Sequence, residues 1–117
     1  MLGVEVRRDP TGEGLYALRP FAAGEAVFAF EYVTWGPRDS HTVEHPDGGH
    51  FRDPVLIYTG HSCAPNCRIS FQAMAMVALR EIEVGEAITF DYATTESAIT
   101  QAFDCLCGAP GCRGRIE

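Results

Sequence analysis

Residues 85–92 read Gly85-Glu86-Ala87-Ile88-Thr89-Phe90-Asp91-Tyr92, a Gly-Glu pair followed by a short apolar segment that ends at a tyrosine. A glycine turn before β-branched and aromatic residues is typical of a strand that follows a tight turn. Residues 78–88, which overlap this stretch, resemble residues 17–27, and both segments place Gly-Glu between two apolar runs. Because two copies are too few for a solenoid, we favour the interpretation that two similar strand pairs use the same turn chemistry.

The rest of the chain alternates short strand-forming segments with Gly, Pro and Asp. This pattern predicts strands at residues 4–7, 15–19, 26–34, 41–45, 67–71, 74–79 and 87–92. No helical periodicity persists for a dozen residues, so helices are expected only as short segments, at 54–58 and 96–103. The stretch 37–49 is expected to be the loosest loop. The predicted fold class is therefore mainly β with few short helices.

Length and composition predict one globular domain of 117 residues, 46% hydrophobic and 21% charged. Nine basic and sixteen acidic residues give a net charge of −7, which argues against direct binding of nucleic acid and favours a basic partner. All nine basic residues are arginine. The chain has no apolar run of the roughly 18 residues that a membrane span needs, and its start does not resemble a secretory signal. We therefore expect no membrane association and a cytoplasmic location.

Five cysteines in such a chain favour metal binding over a disulfide framework, because reducing compartments keep thiols reduced. Cys105, Cys107 and Cys112 form a C-x-C-x4-C pattern among Gly and Pro residues, which can fold three thiolates around one zinc ion. Zinc in a structural site takes four ligands. On the residues alone, Cys63, Cys67 and the histidines are all candidates for the fourth.

Four motifs follow one another along the chain: residues 12–17, residues 61–66, residues 85–92 and the cysteine-rich residues 105–114. Together they resemble the SET domain with its post-SET tail, which occurs in protein-lysine methyltransferases that use S-adenosylmethionine. The resemblance implies a β-clip-like fold of small curved sheets with a pseudoknot. It implies a SET domain at 1–100 and a post-SET zinc-binding tail at 101–117 packed on the active site. It also implies a zinc (Zn2+) site with four cysteine ligands, Cys63, Cys105, Cys107 and Cys112, which leaves Cys67 as the odd thiol.

The resemblance further implies roles for individual side chains. Tyr92 matches the catalytic tyrosine of the family. Tyr32, Tyr58, Phe90 and Tyr92 match its substrate channel, although a place in a core strand is equally open for Tyr32. Phe90 in place of a tyrosine implies di- or trimethylation rather than monomethylation.

The implied cofactor-binding residues are Gly12, Glu13, Gly14, Gly60, His61 and Leu106, with Gly12-Glu13-Gly14 expected to form a turn against the cofactor. Two departures from the family bear on activity. Gly60 stands where the family has an asparagine, and the insert between the Tyr32 segment and Tyr58 is short.

Three hypotheses remain open from the sequence. The first is an S-adenosylmethionine-dependent protein-lysine N-methyltransferase acting on a basic protein or peptide substrate, such as a histone-like or ribosomal protein. The second is a catalytically silent SET-like module that binds a basic partner, and the third is a zinc-stapled structural domain. The chain is expected to be a monomer or a homodimer.

Overall fold

The computed structural model describes residues 3–9, 12–38 and 42–92, together with the backbone of residues 103–104 and 115–116. This part of the chain consists of short strands and one 3-10 helix, Leu56–Tyr58. The strands are β1 (Val4–Asp9), β2 (Gly12–Ala17), β3 (Ala26–Ala29), β4 (Thr34–Trp35), β5 (Val43–Glu44), β6 (His50–Arg52), β7 (Gly60–His61), β8 (Cys67–Ser70), β9 (Ala75–Ala78), β10 (Thr89–Phe90), β11 (Phe103–Asp104) and β12 (Arg115–Ile116). No helix long and apolar enough to cross a membrane occurs among these residues.

The strands form several small sheets. β1 and β2 make an antiparallel hairpin, and β11 and β12 make another antiparallel pair. Two three-stranded sheets have the orders β3-β9-β8 and β4-β6-β5. β7 and β10 pair in parallel, although the β8–β9 hairpin lies between them in the chain. A parallel pair cannot be closed by a tight turn, so the β8–β9 hairpin forms the crossover that brings β10 back beside β7.

Apolar side chains from β1, β2, β3, β5, β6, β8, β9 and β10 form a common core. In β2, Leu15 and Ala17 are fully buried while Gly14 and Tyr16, which alternate with them, are not, which is the period-two pattern of a half-buried strand. β9 is the central strand of its sheet, between β3 and β8, and all four of its residues are buried. The largest fully buried side chains are Phe21, Phe51, Leu15, Met76, Ile82 and Ile88.

The two similar segments, 17–27 and 78–88, pair with each other around a local pseudo-twofold axis. At its centre, Phe21 and Ile82 exchange both backbone hydrogen bonds, at 3.0 and 2.9 Å. On one side the Ala17 N–H donates to the Glu86 carbonyl at 2.9 Å, and on the other the Ala78 N–H donates to the Glu25 carbonyl at 2.9 Å. The two strand pairs that share this turn chemistry therefore also pair with each other.

The turns of the two copies are also alike in detail. Gly24 and Gly85 both have φ of +84°, a backbone conformation that residues other than glycine rarely adopt. Glu25 accepts from Arg19 at 2.5 Å, and Glu86 accepts from Arg80 at 2.6 Å. Since the second copy leads directly into β10, this pairing positions the strand that carries Phe90 and precedes Tyr92.

The expected fold class, mainly β in small sheets, is confirmed, but several element boundaries differ. The strand predicted at 26–34 is two strands in different sheets. β3 pairs with β9, a pairing that the Phe30 N–H continues by donating to the Met74 carbonyl at 2.8 Å, whereas β4 pairs with β6. β6 and β7 were not predicted, and the helix expected at 54–58 is the shorter 3-10 helix. The helix expected at 96–103 lies mostly outside the described residues, and its last residue, Phe103, begins β11.

Candidate active site

The predicted site residues that the structure brings together lie where β7 and β10 pair. Gly60 lies opposite Thr89, and His61 lies opposite Phe90. The Ser62 N–H extends the ladder by donating to the Phe90 carbonyl at 3.2 Å. Residues 60–62 and 89–92, far apart in the chain, thus form one site.

The imidazole of His61 is the buried centre of this site, with 2% of its side chain exposed. Its Nδ1 accepts the backbone N–H of Tyr92 at 3.0 Å, and the two rings are 5.1 Å apart. A backbone N–H can only donate, so Nδ1 is the acceptor in this hydrogen bond. Nε2 is 3.5 Å from Cys63 Sγ, so His61 joins Tyr92 to this cysteine.

Tyr92 has a defined hydroxyl direction. Its Oη donates to the backbone carbonyl of Thr59 at 3.0 Å, directly before Gly60. The ring of Phe90, which is 4% exposed, lies 4.9 Å from the Tyr92 ring. The Tyr92 hydroxyl donates its hydrogen bond to the Thr59 carbonyl, and the lone pairs of its oxygen can still accept hydrogen bonds.

Asn66 is a residue of this region that the sequence reasoning missed. It is 2% exposed, and its Nδ2 donates to the Ala87 carbonyl at 2.6 Å. Its Oδ1 accepts the Thr89 N–H at 2.9 Å, so one amide side chain satisfies two backbone groups at the start of β10. The available signal was a polar residue directly after Pro65 and between two buried segments. A single asparagine forms no periodic pattern, so this signal did not identify it.

Tyr32 and Tyr58 lie on the elements that precede β7. Tyr32 follows β3 and is 73% exposed, so it does not occupy a core strand. Tyr58 ends the 3-10 helix and packs partly buried against the core. In the described part of the chain, the ring contacts of the site are those of His61, Phe90 and Tyr92, and neither of these two tyrosines joins them.

The glycines expected to contact a cofactor lie in strands. Gly12, Glu13 and Gly14 are the first residues of β2 rather than a turn, and β2 contacts the 3-10 helix. A Cβ atom added at Gly12 or Gly60 would meet no atom of the described residues within 4 Å, so within that part of the chain open space lies against both backbones. Next to Gly60, the buried hydroxyl of Thr59 has no hydrogen-bond partner among the described residues. Leu106 lies outside them.

The two cysteines of the described region have different surroundings. Cys63 is half-buried beside His61, whereas Cys67 is 1% exposed in β8. Burial raises the pKa of the Cys67 thiol to about 12, which keeps it protonated at neutral pH. Cys105, Cys107 and Cys112 lie outside the described residues, and within those residues no three His, Cys, Asp or Glu side chains converge as a metal site would require.

Solved structures share this fold. A structure of KRYPTONITE in complex with mCHG DNA and SAH superposes with a TM-score of 0.73 at 22% identity, covering 96% of this chain and 28% of that one. The methyltransferase domain of the human histone-lysine N-methyltransferase SETMAR superposes with a TM-score of 0.70 at 21% identity, covering 95% of this chain and 56% of that one.

The sequence comparisons agree with the fold. The histone-lysine N-methyltransferase, H3 lysine-4 specific, of Candida albicans is 31% identical over 134 aligned residues, which cover 89% of this chain. The chain spans 12% of the length of that relative. A family model described as the SET domain matches residues 12–93, which is more than half of the chain. The chain therefore belongs to the SET-domain family.

Proposed function

We propose that this chain is a protein-lysine N-methyltransferase that uses S-adenosylmethionine, and that Tyr92 is its catalytic residue. The observation that carries the proposal is the pair of hydrogen bonds on Tyr92. His61 holds its backbone N–H and the Thr59 carbonyl holds its hydroxyl, each at 3.0 Å. A tyrosine fixed at both ends is suited to a reaction that depends on precise placement.

When bound, S-adenosylmethionine would supply a methyl group on a sulfonium. An uncharged lysine nitrogen would take that methyl group as the carbon–sulfur bond breaks, leaving a neutral thioether, and the methylated amine would release one proton to solvent. The chain must therefore strip water from the lysine and aim its nitrogen. The buried Phe90 and the ring of Tyr92 provide an apolar wall, and desolvation there lowers the pKa of a lysine ammonium. The lone pairs of the Tyr92 hydroxyl can accept a hydrogen bond from the amine.

Gly60 supports cofactor binding on this side of the site. Open space against its backbone allows a ligand to approach the peptide group closely. A polar ligand at this edge would also satisfy the buried Thr59 hydroxyl. In the proposed arrangement, Gly12, Glu13, Gly14, Gly60, His61 and Leu106 contact the cofactor.

The substrate is proposed to be a basic protein. The net charge of −7 supports it, as do relatives that are named for lysine 4 of histone H3. The channel is proposed to consist of Tyr32, Tyr58, Phe90 and Tyr92. Phe90 has no hydroxyl group that would compete with a methylated lysine nitrogen for space in the proposed channel. Di- and trimethyl-lysine are therefore the expected products.

A zinc ion is proposed to connect the tail to this site through Cys63, Cys105, Cys107 and Cys112. Four thiolates are a donor set that suits zinc. Cys107→Ser is expected to lower bound zinc and cofactor affinity together, measured by atomic absorption and calorimetry. If zinc falls while the cofactor dissociation constant is unchanged, the proposed connection is wrong.

The catalytic proposal is tested by methyl transfer from isotopically labelled S-adenosylmethionine to histone H3 and to other basic proteins. Tyr92→Phe removes one hydroxyl, and we expect it to lose most transfer while cofactor affinity and the unfolding midpoint stay near native values. Tyr16→Phe, the same deletion on a half-buried β2 tyrosine, is the matched control and should keep activity. The chain has no lysine, so its own side chains cannot contribute labelled lysine. Full activity in Tyr92→Phe would refute the assignment.

A silent SET-like binding module is the second candidate, favoured by Gly60 and the short insert. Calorimetry of the zinc-loaded protein with S-adenosylmethionine separates the two. Absence of binding heat at millimolar cofactor would exclude the enzyme and leave the module.

A further inference from the structure

We infer that Asp53 is a positioning residue of the substrate channel, whose carboxylate joins the backbone of Tyr32 to the 3-10 helix that carries Tyr58. The inference rests on the proposed function, because it concerns where two channel residues lie. Asp53 belongs to none of the motifs that point to the SET domain.

The contacts of Asp53 reach both elements. Its side chain is buried, with the residue 2% exposed. Oδ1 accepts the N–H groups of Val55 and Leu56, at 2.8 and 3.0 Å, and so caps the start of the 3-10 helix. Oδ2 accepts the N–H of Tyr32 at 3.4 Å. One carboxylate thus binds two segments that are separated by β4, β5 and β6.

The sheet register explains why the two segments meet. β4 and β6 are antiparallel, with Thr34 opposite Arg52. Tyr32 and Asp53 both lie just beyond this end of the ladder. Tyr32 comes two residues before Thr34, and Asp53 comes directly after Arg52. Asp53 therefore extends the pairing with its side chain where the backbone pairing ends.

A buried carboxylate is costly unless its oxygens are hydrogen-bonded. The partners of Asp53 in the described structure are backbone N–H groups rather than a cation. Capping the 3-10 helix needs only one side-chain oxygen, which an asparagine also supplies. The second oxygen is the one that sets Asp53 apart, and its contact is Tyr32.

Tyr32 depends on this contact more than a core residue would. Its residue is 73% exposed, and its N–H donates to Asp53. Tyr58 at the far end of the 3-10 helix is held by its N–H on the Val55 carbonyl at 3.1 Å. Loss of the Tyr32 contact should therefore loosen one wall of the channel and leave the other wall in place.

Asp53→Asn separates the two roles. The amide keeps an oxygen for the N–H groups of Val55 and Leu56 but turns an NH2 donor toward the N–H of Tyr32. We expect KM for a lysine-containing histone H3 peptide to rise about five- to tenfold, the equivalent of about one hydrogen bond. The cofactor dissociation constant and the unfolding midpoint should stay near native values. Asp53→Ala, which also removes the cap, should lower stability as well.

Asp47→Asn is the matched control, because Asp47 caps an exposed turn by accepting the Gly49 N–H at 2.9 Å. It should change none of these quantities. In a Tyr32→Ala background, Asp53→Asn should add less than twofold to KM, since the residue it acts through is already truncated.

A peptide KM within twofold of native in Asp53→Asn would overturn the inference, as would equal losses of peptide and cofactor affinity. If the unmodified protein transfers no methyl group, the proposed function fails instead. The position of Tyr32 is then tested by the affinity of the same peptide, measured by fluorescence anisotropy. An affinity unchanged by Asp53→Asn would overturn the inference there too.

Discussion

Replacement of Asn66 by alanine should destabilise the crossing of β7 and β10 more than its size suggests. The side chain is buried, and it bonds the Ala87 carbonyl at 2.6 Å and the Thr89 N–H at 2.9 Å. Both partners are backbone groups at the start of β10. Alanine would leave both groups without their side-chain partner, at positions that are only partly shielded from water.

The magnitude follows from those two groups. A buried donor or acceptor left unsatisfied costs about 1–3 kcal/mol. Two fully buried groups would give about 2–6 kcal/mol. Because Ala87 is exposed and Thr89 is half-buried, water can partly replace the lost bonds, and we expect a loss of about 2–4 kcal/mol, against a total stability of about 5–15 kcal/mol for an ordinary domain. With an m-value of about 2 kcal/mol/M in urea, a loss of 3 kcal/mol lowers the unfolding midpoint by about 1.5 M.

The assay is urea unfolding of the zinc-saturated protein, followed by far-ultraviolet circular dichroism. Asn66→Asp is the second variant, because its carboxylate can still accept from Thr89 but repels the Ala87 carbonyl. Its protonated form regains a donor, so its deficit should be smaller at pH 5 than at pH 7. A midpoint for Asn66→Ala within about 0.3 M of native, less than one hydrogen bond, would refute the reasoning.

Further predictions concern three other residues, Cys67, Glu86 and Gly60. The Cys67 thiol, with a pKa raised to about 12 by burial, should not react with a disulfide reagent at pH 8 until urea unfolds the protein; reaction at the unfolded rate under native conditions would contradict its burial. As pH rises above about 9, stability should fall, because the unfolded thiol ionises and the folded one does not. Glu86→Gln should cost about 0.5–1 kcal/mol at pH 7, because the Arg80 side chain lowers the pKa of this carboxyl. That stabilisation is present above the ordinary pKa of 4.5 and is lost as pH falls through the lowered value, so the variant and the native protein should converge in acid; a constant gap would contradict it. Gly60→Asn adds an amide that can hydrogen-bond the cofactor and should tighten S-adenosylmethionine binding about two- to tenfold by calorimetry, and an unchanged or weaker affinity would contradict a cofactor at this edge.

The fold class could be predicted because short alternating segments report burial on one face. Leu15 and Ala17 are buried in β2 as that alternation requires. The same rule failed where pairing rather than composition makes a strand. Gly60 has no strand preference of its own, yet it lies in β7 because β10 pairs with it. The predicted strand at 26–34 is divided because its first part, β3, pairs with β9 and its last part, β4, pairs with β6 in another sheet.

The candidate site divides in the same way. His61, Phe90 and Tyr92 could be named from motifs, because those residue types follow one another in a recognisable order. The bonds that hold Tyr92 could not, since both partners come from a segment about thirty residues earlier that only the parallel pairing of β7 with β10 brings near. Asn66 and Asp53 were missed for the same reason: a single buried polar residue has no pattern along the chain.

The amino-acid sequence by itself determined that the chain is mainly β, that it resembles the SET domain, and which side chains are candidates for chemistry. These properties depend on residue type, order and local alternation. The tertiary structure alone decided that the two Gly-Glu segments pair with each other around Phe21 and Ile82, and that His61 and Thr59 hold the two ends of Tyr92. Each of these contacts joins groups distant in the chain, and their direction and distance depend on how the small sheets pack.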